Sequence, residues 1–335
     1  LSGAAFLMSS AFAQGVTTDP VGYVTTTTPT GDDALVGLPL TQAIALSGAA
    51  DSVSGAEVTV SAALVADAYN NTHYALATSG ANAGQWSEVV ATAVDSITTA
   101  DVLLAATDTF DVVPFWTLAT AFPAGAGVGA STVPSAPVAT VLINDPTAAG
   151  INFSAASAYL YFTDGGTNDG WYNASNFDPA NDLRLAPDAY LTIRNNTGAA
   201  VSSVVSGSVP VGVVGSTIAR QLVGQQDTQL VNPYPAAITL DASGLVGSIA
   251  ATTVPSSPTD TVLIFDIEAS SGQNISTSAA YLYFTDGGTN DGWYNASTFD
   301  PAGAVEIPAG GAFIVRRAGG ADEVVQWNPP TPYSL

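Results

Sequence analysis

The chain has 335 residues, of which 47% are hydrophobic and only 10% charged, so it can bury a sizeable core beneath a lightly charged surface. Lysine is absent, and five arginines face 28 acidic residues for a net charge of −23. That balance speaks against nucleic acid or an anionic membrane as a partner, because phosphate binding needs basic side chains.

There is no cysteine, so packing and sheet hydrogen bonds must hold the fold without disulfides. Lysine's absence also removes isopeptide cross-links and Schiff bases. In chain order, Leu1 to Phe12 is apolar and ends in Ala11-Phe12-Ala13, an A-x-A cleavage pattern. Residues 1–13 therefore read as a secretory signal-peptide remnant, with a short buried helix as the alternative. The stretch is too short to span a bilayer, and no other stretch could. Val16 to Thr28 alternates around Pro20 as an edge or first strand does. Leu35 to Leu40 opens a worn first copy of a repeat, with Tyr74 to Trp86 as its hairpin. Glu57 to Leu64, Asp101 to Leu104 and Val201 to Val214 read as strands. Ala45 to Ala50 and Ala236 to Gly247 read as short helical turns. Ala121 to Pro137 is Pro, Gly and Ala punctuation.

The strongest signal is a stretch used twice. Ala158 to Ala180 reads AYLYFTDGGTNDGWYNASNFDPA, and Ala280 to Ala302 repeats it with Thr298 in place of Asn176. Such near-identity marks an internal duplication. Each copy predicts a β-hairpin: aromatic-rich runs flank Thr-Asp-Gly-Gly-Thr-Asn-Asp, which is turn chemistry. Similarity extends outward. Thr140-Val141-Leu142-Ile143 returns as Thr261-Val262-Leu263-Ile264, and Val113-Pro114-Phe115 is matched with Asn232-Pro233-Tyr234. Turn signals every eight to twelve residues predict an all-β class of tandem β-sandwich or jelly-roll-like units. The expected units are 14–109, 110–228 and 229–335. Two larger domains are the alternative if strands are shared across those boundaries.

Several residues carry a resemblance. Leu230-Val231-Asn232-Pro233-Tyr234-Pro235, then Gly292-Trp293-Tyr294, then Ile307-Pro308-Ala309-Gly310-Gly311-Ala312-Phe313-Ile314-Val315 form an ordered series. The series resembles the LVxNPYP…GWY…IPxGxxFxV repeats of bacterial secreted and surface β domains. Asp19-Pro20-Val21-Gly22-Tyr23-Val24 looks like the mature start of a secreted β-rich family of Verrucomicrobia-type bacteria that has no assigned activity. The resemblance implies an exported, extracellular or cell-surface β protein and implies no chemistry. Ala309-Gly310-Gly311 departs from the usual P-G-x-G spacing, and Ala186-Pro187-Asp188 lacks the glycines.

Chemistry is sparse. Asp164, Asn168 and Asp169, with their copies Asp286, Asn290 and Asp291, put oxygen ligands in a glycine-bent loop that suits calcium. They lack the EF-hand spacing, and a plain turn is the alternative. Calcium is the one cofactor the sequence suggests. Trp171, Tyr172, Trp293 and Tyr294 offer faces on which sugars could stack, against ordinary core packing. His73 is the single histidine, with no nucleophile elbow near it. The five glutamates, Glu57, Glu88, Glu268, Glu306 and Glu323, stand in no recognisable setting. Six N-x-[ST] matches, at Asn70, Asn152, Asn173, Asn195, Asn274 and Asn295, are glycan acceptors in form only.

The expectation is thus a non-enzymatic, secreted, self-assembling structural protein, a filament, surface-layer or matrix subunit that partners itself as a homopolymer. The alternative is a carbohydrate-binding, adhesin-like module using the duplicated Trp-Tyr hairpins. The segment Gly15 to Thr28 either completes its own domain or is donated to a neighbour's sheet.

Overall fold

The computed structural model describes residues 20–145, 148–152, 155–265, 272–320 and 324–334. The expected signal remnant (1–13), Gly15 to Asp19, Glu268 and Glu323 lie outside the described residues. The chain is all-β. It begins with β1 (Val21–Thr28) and β2 (Asp33–Val36). An antiparallel seven-stranded sheet follows: β3 (Leu46–Ala49), β4 (Ser52–Ser54), β5 (Glu57–Thr59), β6 (His73–Ala77), β7 (Trp86–Thr92), β8 (Ser96–Thr99) and β9 (Thr109–Pro114). Next come β10 (Trp116–Thr117), the one-turn α1 (Leu118–Ala121), β11 (Ala130–Ser131), β12 (Ala139–Ile143), β13 (Ser157–Phe162), β14 (Gly170–Asn173), β15 (Arg184–Leu185), β16 (Leu191–Asn195) and β17 (Val201–Ser208). The last part holds β18 (Ser216–Ala219), β19 (Gln226–Val231), β20 (Ile238–Thr239), β21 (Thr261–Ile264), β22 (Ala279–Phe284), β23 (Gly292–Asn295), β24 (Glu306–Ile307), β25 (Ala312–Arg317) and β26 (Val324–Trp327).

Strand pairing reveals two copies of one plan. The sheet β2-β16-β12-β13-β14 in the first copy matches β19-β25-β21-β22-β23 in the second. The small pairs β10–β15 and β1–β17 match β20–β24 and β18–β26. β1 and β2 therefore pair with strands from beyond residue 115, across the expected 109/110 boundary. The seven-stranded sheet sits between β2 and β10, where the second copy has only the short link from Val231 to Ile238. Its order, β3-β9-β6-β7-β8-β5-β4, is its own. Tyr74 to Trp86 does form a hairpin, β6–β7, but within that inserted sheet and not in a third copy. By position, Leu38-Pro39-Leu40 after β2 is the counterpart of Asn232-Pro233-Tyr234 after β19. Val113 and Pro114 belong instead to β9.

Three smaller expectations also change. Ala45 to Ala50 is not helical: Leu46–Ala49 is β3, drawn into the ladder against β9. Asp101 to Leu104 is irregular rather than a strand. In Ala236 to Gly247 a strand, β20, precedes one 3₁₀ turn at Leu245–Gly247.

Period-two alternation explains the cores. In β16, Leu191 and Ile193 point inward while Thr192 and Arg194 point outward. The first copy's core holds Trp171, Phe122, Ile193 and Val141. The second holds Trp293, Trp327, Phe313 and Leu240. The inserted sheet has a separate core around Phe110, Val112 and Ile97.

The copies meet through their outer sheet faces, around Leu35, Tyr190, Val231, Phe265 and Ala312. A reciprocal polar lock flanks this contact. Arg194 grips Asp33 with two bonds of 2.8 Å and donates a third to Asn274 Oδ1 of the other copy. The Asn274 backbone N–H in turn donates to Asp33 Oδ2 at 2.7 Å. The second half is the same: Arg316 grips Asp227 at 2.7 and 2.9 Å and reaches Asn152 Oδ1, while Asn152 N–H donates to Asp227. Asn152 and Asn274 sit at φ 57° and 62°, a left-handed conformation that asparagine tolerates. Each copy's loop thus completes the other's ion pair.

Candidate functional site

The duplicated stretches form matching hairpins. Tyr161 faces Trp171 and Leu160 faces Tyr172 in one; Tyr283 faces Trp293 and Leu282 faces Tyr294 in the other. At the first tip, Asp169 Oδ1 accepts from the Thr163 hydroxyl and from the Asp164 and Gly165 N–H groups at 2.9 to 3.2 Å. Asp164 accepts from Gly166 N–H and the Asn168 amide. The second tip repeats the pattern with Asp291, Asp286 and Asn290. The bonds to Asp169 and Asp291 favour the charged form of those two carboxylates. The Thr163 hydroxyl holds Asp169 below the usual range, and the Asp286 N–H does the same for Asp291. Of the residues proposed for calcium, Asp164 and Asp286 use both carboxylate oxygens, and Asp169 and Asp291 use Oδ1, on bonds within their own loop, as a plain turn does. Among the described residues no three His, Cys, Asp or Glu side chains group as a metal site.

The tryptophans are not available to a ligand, which corrects one half of the stacking expectation. Trp171 is 0% and Trp293 2% exposed. Adjacent strand residues face opposite sides, so when Trp171 enters the core Tyr172 must point out. Trp171 Nε1 donates to Phe122 O at 3.3 Å, whereas Trp293 Nε1 is buried without a hydrogen-bond partner. Both Trp→Phe changes lose ring volume, but Trp171→Phe also loses a buried hydrogen bond, while Trp293→Phe removes a donor that has no partner. Trp171→Phe should cost about 1 kcal/mol more than Trp293→Phe, which parallel urea titrations of the two variants would measure.

The half-buried tyrosines each build an outward aromatic cluster. Tyr172 stacks on Phe177, ring centroids 4.2 Å apart and 6° from parallel, and both meet Phe162 edge-on. Tyr294, Phe299 and Phe284 repeat this, with the stack at 4.4 Å and 10°. Each tyrosine hydroxyl is tied back to the turn, at Asn168 O or Asn290 O. Phe177 and Phe299 are each 39% exposed and hold φ of 60° and 59°. A phenylalanine there costs about 1–2 kcal/mol that glycine would not. Nothing in the sequence marks this: each loop, Asn-Ala-Ser-Asn-Phe or Asn-Ala-Ser-Thr-Phe, puts phenylalanine where glycine or asparagine is usual.

Two cavities lie at junctions. The larger, about 740 Å³, runs between the outer faces of the two main sheets. Leu35, Thr192, Leu142 and Ala158, paired in a row across four strands, form one wall. Gln229, Ile314 and Leu263 form the matching row opposite. The smaller, about 500 Å³, lies where the inserted sheet meets both copies, between Trp86, Asp101, Asp188 and Thr217. Burial pushes the Asp188 carboxyl upward, against a hydrogen bond from Trp86 that favours its charge.

His73 lies far from both hairpins in sequence, on β6. Its ring meets the Thr72 hydroxyl at 2.8 Å and the Tyr69 ring edge, and burial lowers its pKa. All five arginines are ion-paired: Arg184 with Glu88, Arg194 with Asp33, Arg316 with Asp227, and Arg220 and Arg317 with Asp260. No helix among the described residues is long and apolar enough to cross a membrane. Comparison of the chain with protein-family models, curated proteins and solved structures finds no match.

Proposed function

We propose that the protein is a secreted structural subunit that associates with copies of itself at a bacterial surface or in an extracellular matrix. One observation carries this reading, the strand β1. It is eight residues long and pairs on one side only, with β17. Among the described residues its second edge has no strand partner. An edge of that kind presents unpaired N–H and C=O groups to another chain. Its outward face carries Val21 and Tyr23, 76% and 74% exposed, beside Val204 on β17. The equivalent strand of the second copy, β18, is only four residues long. The long, apolar, unguarded edge is thus confined to one end of the pseudo-symmetric pair.

Within the chain, β1 completes its own copy, so the reading needs no donated segment: the docked strand offers its free edge to a second copy. A contact of β1 with β1 of the second copy is isologous and closes as a dimer, whereas β1 against any other edge is heterologous and propagates unless rotation closes it. At a net charge of −23 copies repel, and salt screening should favour association. Val21→Lys/Tyr23→Lys tests the reading by sedimentation velocity and electron microscopy at several salt concentrations. The native chain is expected to form oligomers or filaments that grow with salt, and the variant to stay monomeric with an unchanged melting temperature. A native chain that stays monomeric under all those conditions would sink the reading.

A further inference from the structure

We infer that the cleft between the two copies, together with the Tyr172–Phe177 stack at its edge, binds a neutral, hydroxyl-rich chain of the glycan type. The first support is shape. About 740 Å³ lies within the range of ligand pockets, and the site is a domain junction, where such pockets concentrate. Its wall crosses neighbouring strands from β2 to β13, and β14 extends the same face to roughly 20 Å at ordinary strand spacing. That is an elongated floor, suited to a chain rather than a compact metabolite.

The second support is continuity. Ala158 lines the cleft, and Leu160 and Phe162 follow it on the same face of β13. Leu160 lies directly opposite Tyr172. Ser175, in the loop that carries Phe177, also lines the cleft. The aromatic stack therefore stands on the same sheet face as the cleft floor, just beyond the residues that line the cavity. The strained φ at Phe177 holds its ring over Tyr172 with one face free, and strain of this kind gathers at ligand clamps.

The third support is charge. The two cations in the cleft, Arg194 and Arg316, are each gripped by two carboxylate bonds and an asparagine. They have no charge to spare for an anion, and the rest of the chain is strongly acidic. Hydroxyl and amide groups, such as Asn144, Ser157, Thr192, Gln229 and Thr277, alternate with apolar side chains along the walls. Sugar hydroxyls can bond to the former while ring C–H faces lie on the latter and on the aromatic stack.

This inference does not depend on self-association, since β1 lines no part of the cleft. The test uses the full chain and three neutral probes, cellohexaose, chitohexaose and mannohexaose, with a hexamer of galacturonic acid as the anionic control, read by titration calorimetry. At least one neutral hexamer is expected to bind and the galacturonate is not. Phe177→Gly, which relieves the left-handed strain, should leave melting temperature unchanged or raised and weaken binding about tenfold. Ala158→Trp, which fills the cleft, should abolish binding in a variant whose melting curve remains cooperative. The inference is overturned if no neutral hexamer binds at millimolar concentration, if the galacturonate binds more tightly, or if Phe177→Gly leaves affinity unchanged.

Discussion

Asp260→Ala should be the most destabilising of the substitutions considered, by about 3–5 kcal/mol, the usual cost of removing one partner from a buried ionic cluster. Asp260 is fully buried. It holds Arg317 at 3.4 Å and Arg220 at 3.5 Å, and accepts from the Ala250 and Ala318 N–H groups at 2.8 and 2.9 Å. Alanine would remove the buried carboxylate that two guanidinium groups face and leave the Ala250 and Ala318 N–H groups without their acceptor. The first copy suggests the rescue, because it fills the same corner without charge. There Thr28, Ala139 and Asn195 stand at the positions of Arg220, Asp260 and Arg317. The Asn195 amide donates to Pro29 O and Ala199 O at 2.9 and 2.8 Å. Transplanting that solution as Arg220→Thr/Asp260→Ala/Arg317→Asn should recover most of the lost stability, since replacing a whole buried ionic cluster is often neutral. Urea titrations of the single and triple variants decide it. A triple variant no more stable than the single one would show that the two corners are not equivalent.

Breaking the inter-copy lock should have the next largest effect. Asp227→Ala leaves the Asn152 N–H without its acceptor and Arg316 with only its bond to Asn152 Oδ1, and Asp33→Ala does the same to the Asn274 N–H and Arg194. Each is expected to cost about 2–3 kcal/mol, less than a fully buried pair because the guanidinium groups keep some contact with water. The Asp33 and Asp227 hydrogen bonds raise the pKa values of Arg194 and Arg316, and this outweighs burial, which lowers them, so both guanidinium groups stay charged across the stable pH range. The locks sit in separate loops, and the double variant should lose close to the sum. It should also be cut by protease within 148–152 and near Asn274 before the cores open. Equal protease resistance in the native chain and the double variant would argue against the lock's holding the copies together.

The hairpins were legible because everything that makes them lies within one short stretch: turn residues, alternation and aromatic runs. The fate of the tryptophans was legible in principle as well. In Gly-Trp-Tyr, adjacent strand residues cannot share a face, so Trp and Tyr could never both have met a ligand. The lock was not legible, because Asp33, Arg194 and Asn274 are unremarkable singly and meet only through long-range pairing. Nor was the division of the chain. Thr25 to Thr28 carries no mark that its partners are Val201 to Val204. The match of Val113-Pro114-Phe115 to Asn232-Pro233-Tyr234 rested on a shared proline, and the structure gives that place to Pro39. Phe177 and Phe299 took part in the repeat without drawing notice, since a left-handed phenylalanine has no signature in composition.

The position of the inserted sheet bears on the order in which the polypeptide acquires its shape. β1 cannot find β17 until nearly two-thirds of the chain exists, and contacts so remote in sequence slow folding because loop-closure entropy comes due before they form. The insertion shortens that search. Its first strand, β3, lies against its last, β9, with Leu46 opposite Val112. Once the insertion has folded from its own contiguous sequence, its entry and exit are neighbours, and the excursion spans little more than the gap between paired strands. A segment that interrupts the first copy on paper would thus act in time as a staple, drawing β2 towards β10 before the rest of that copy has emerged.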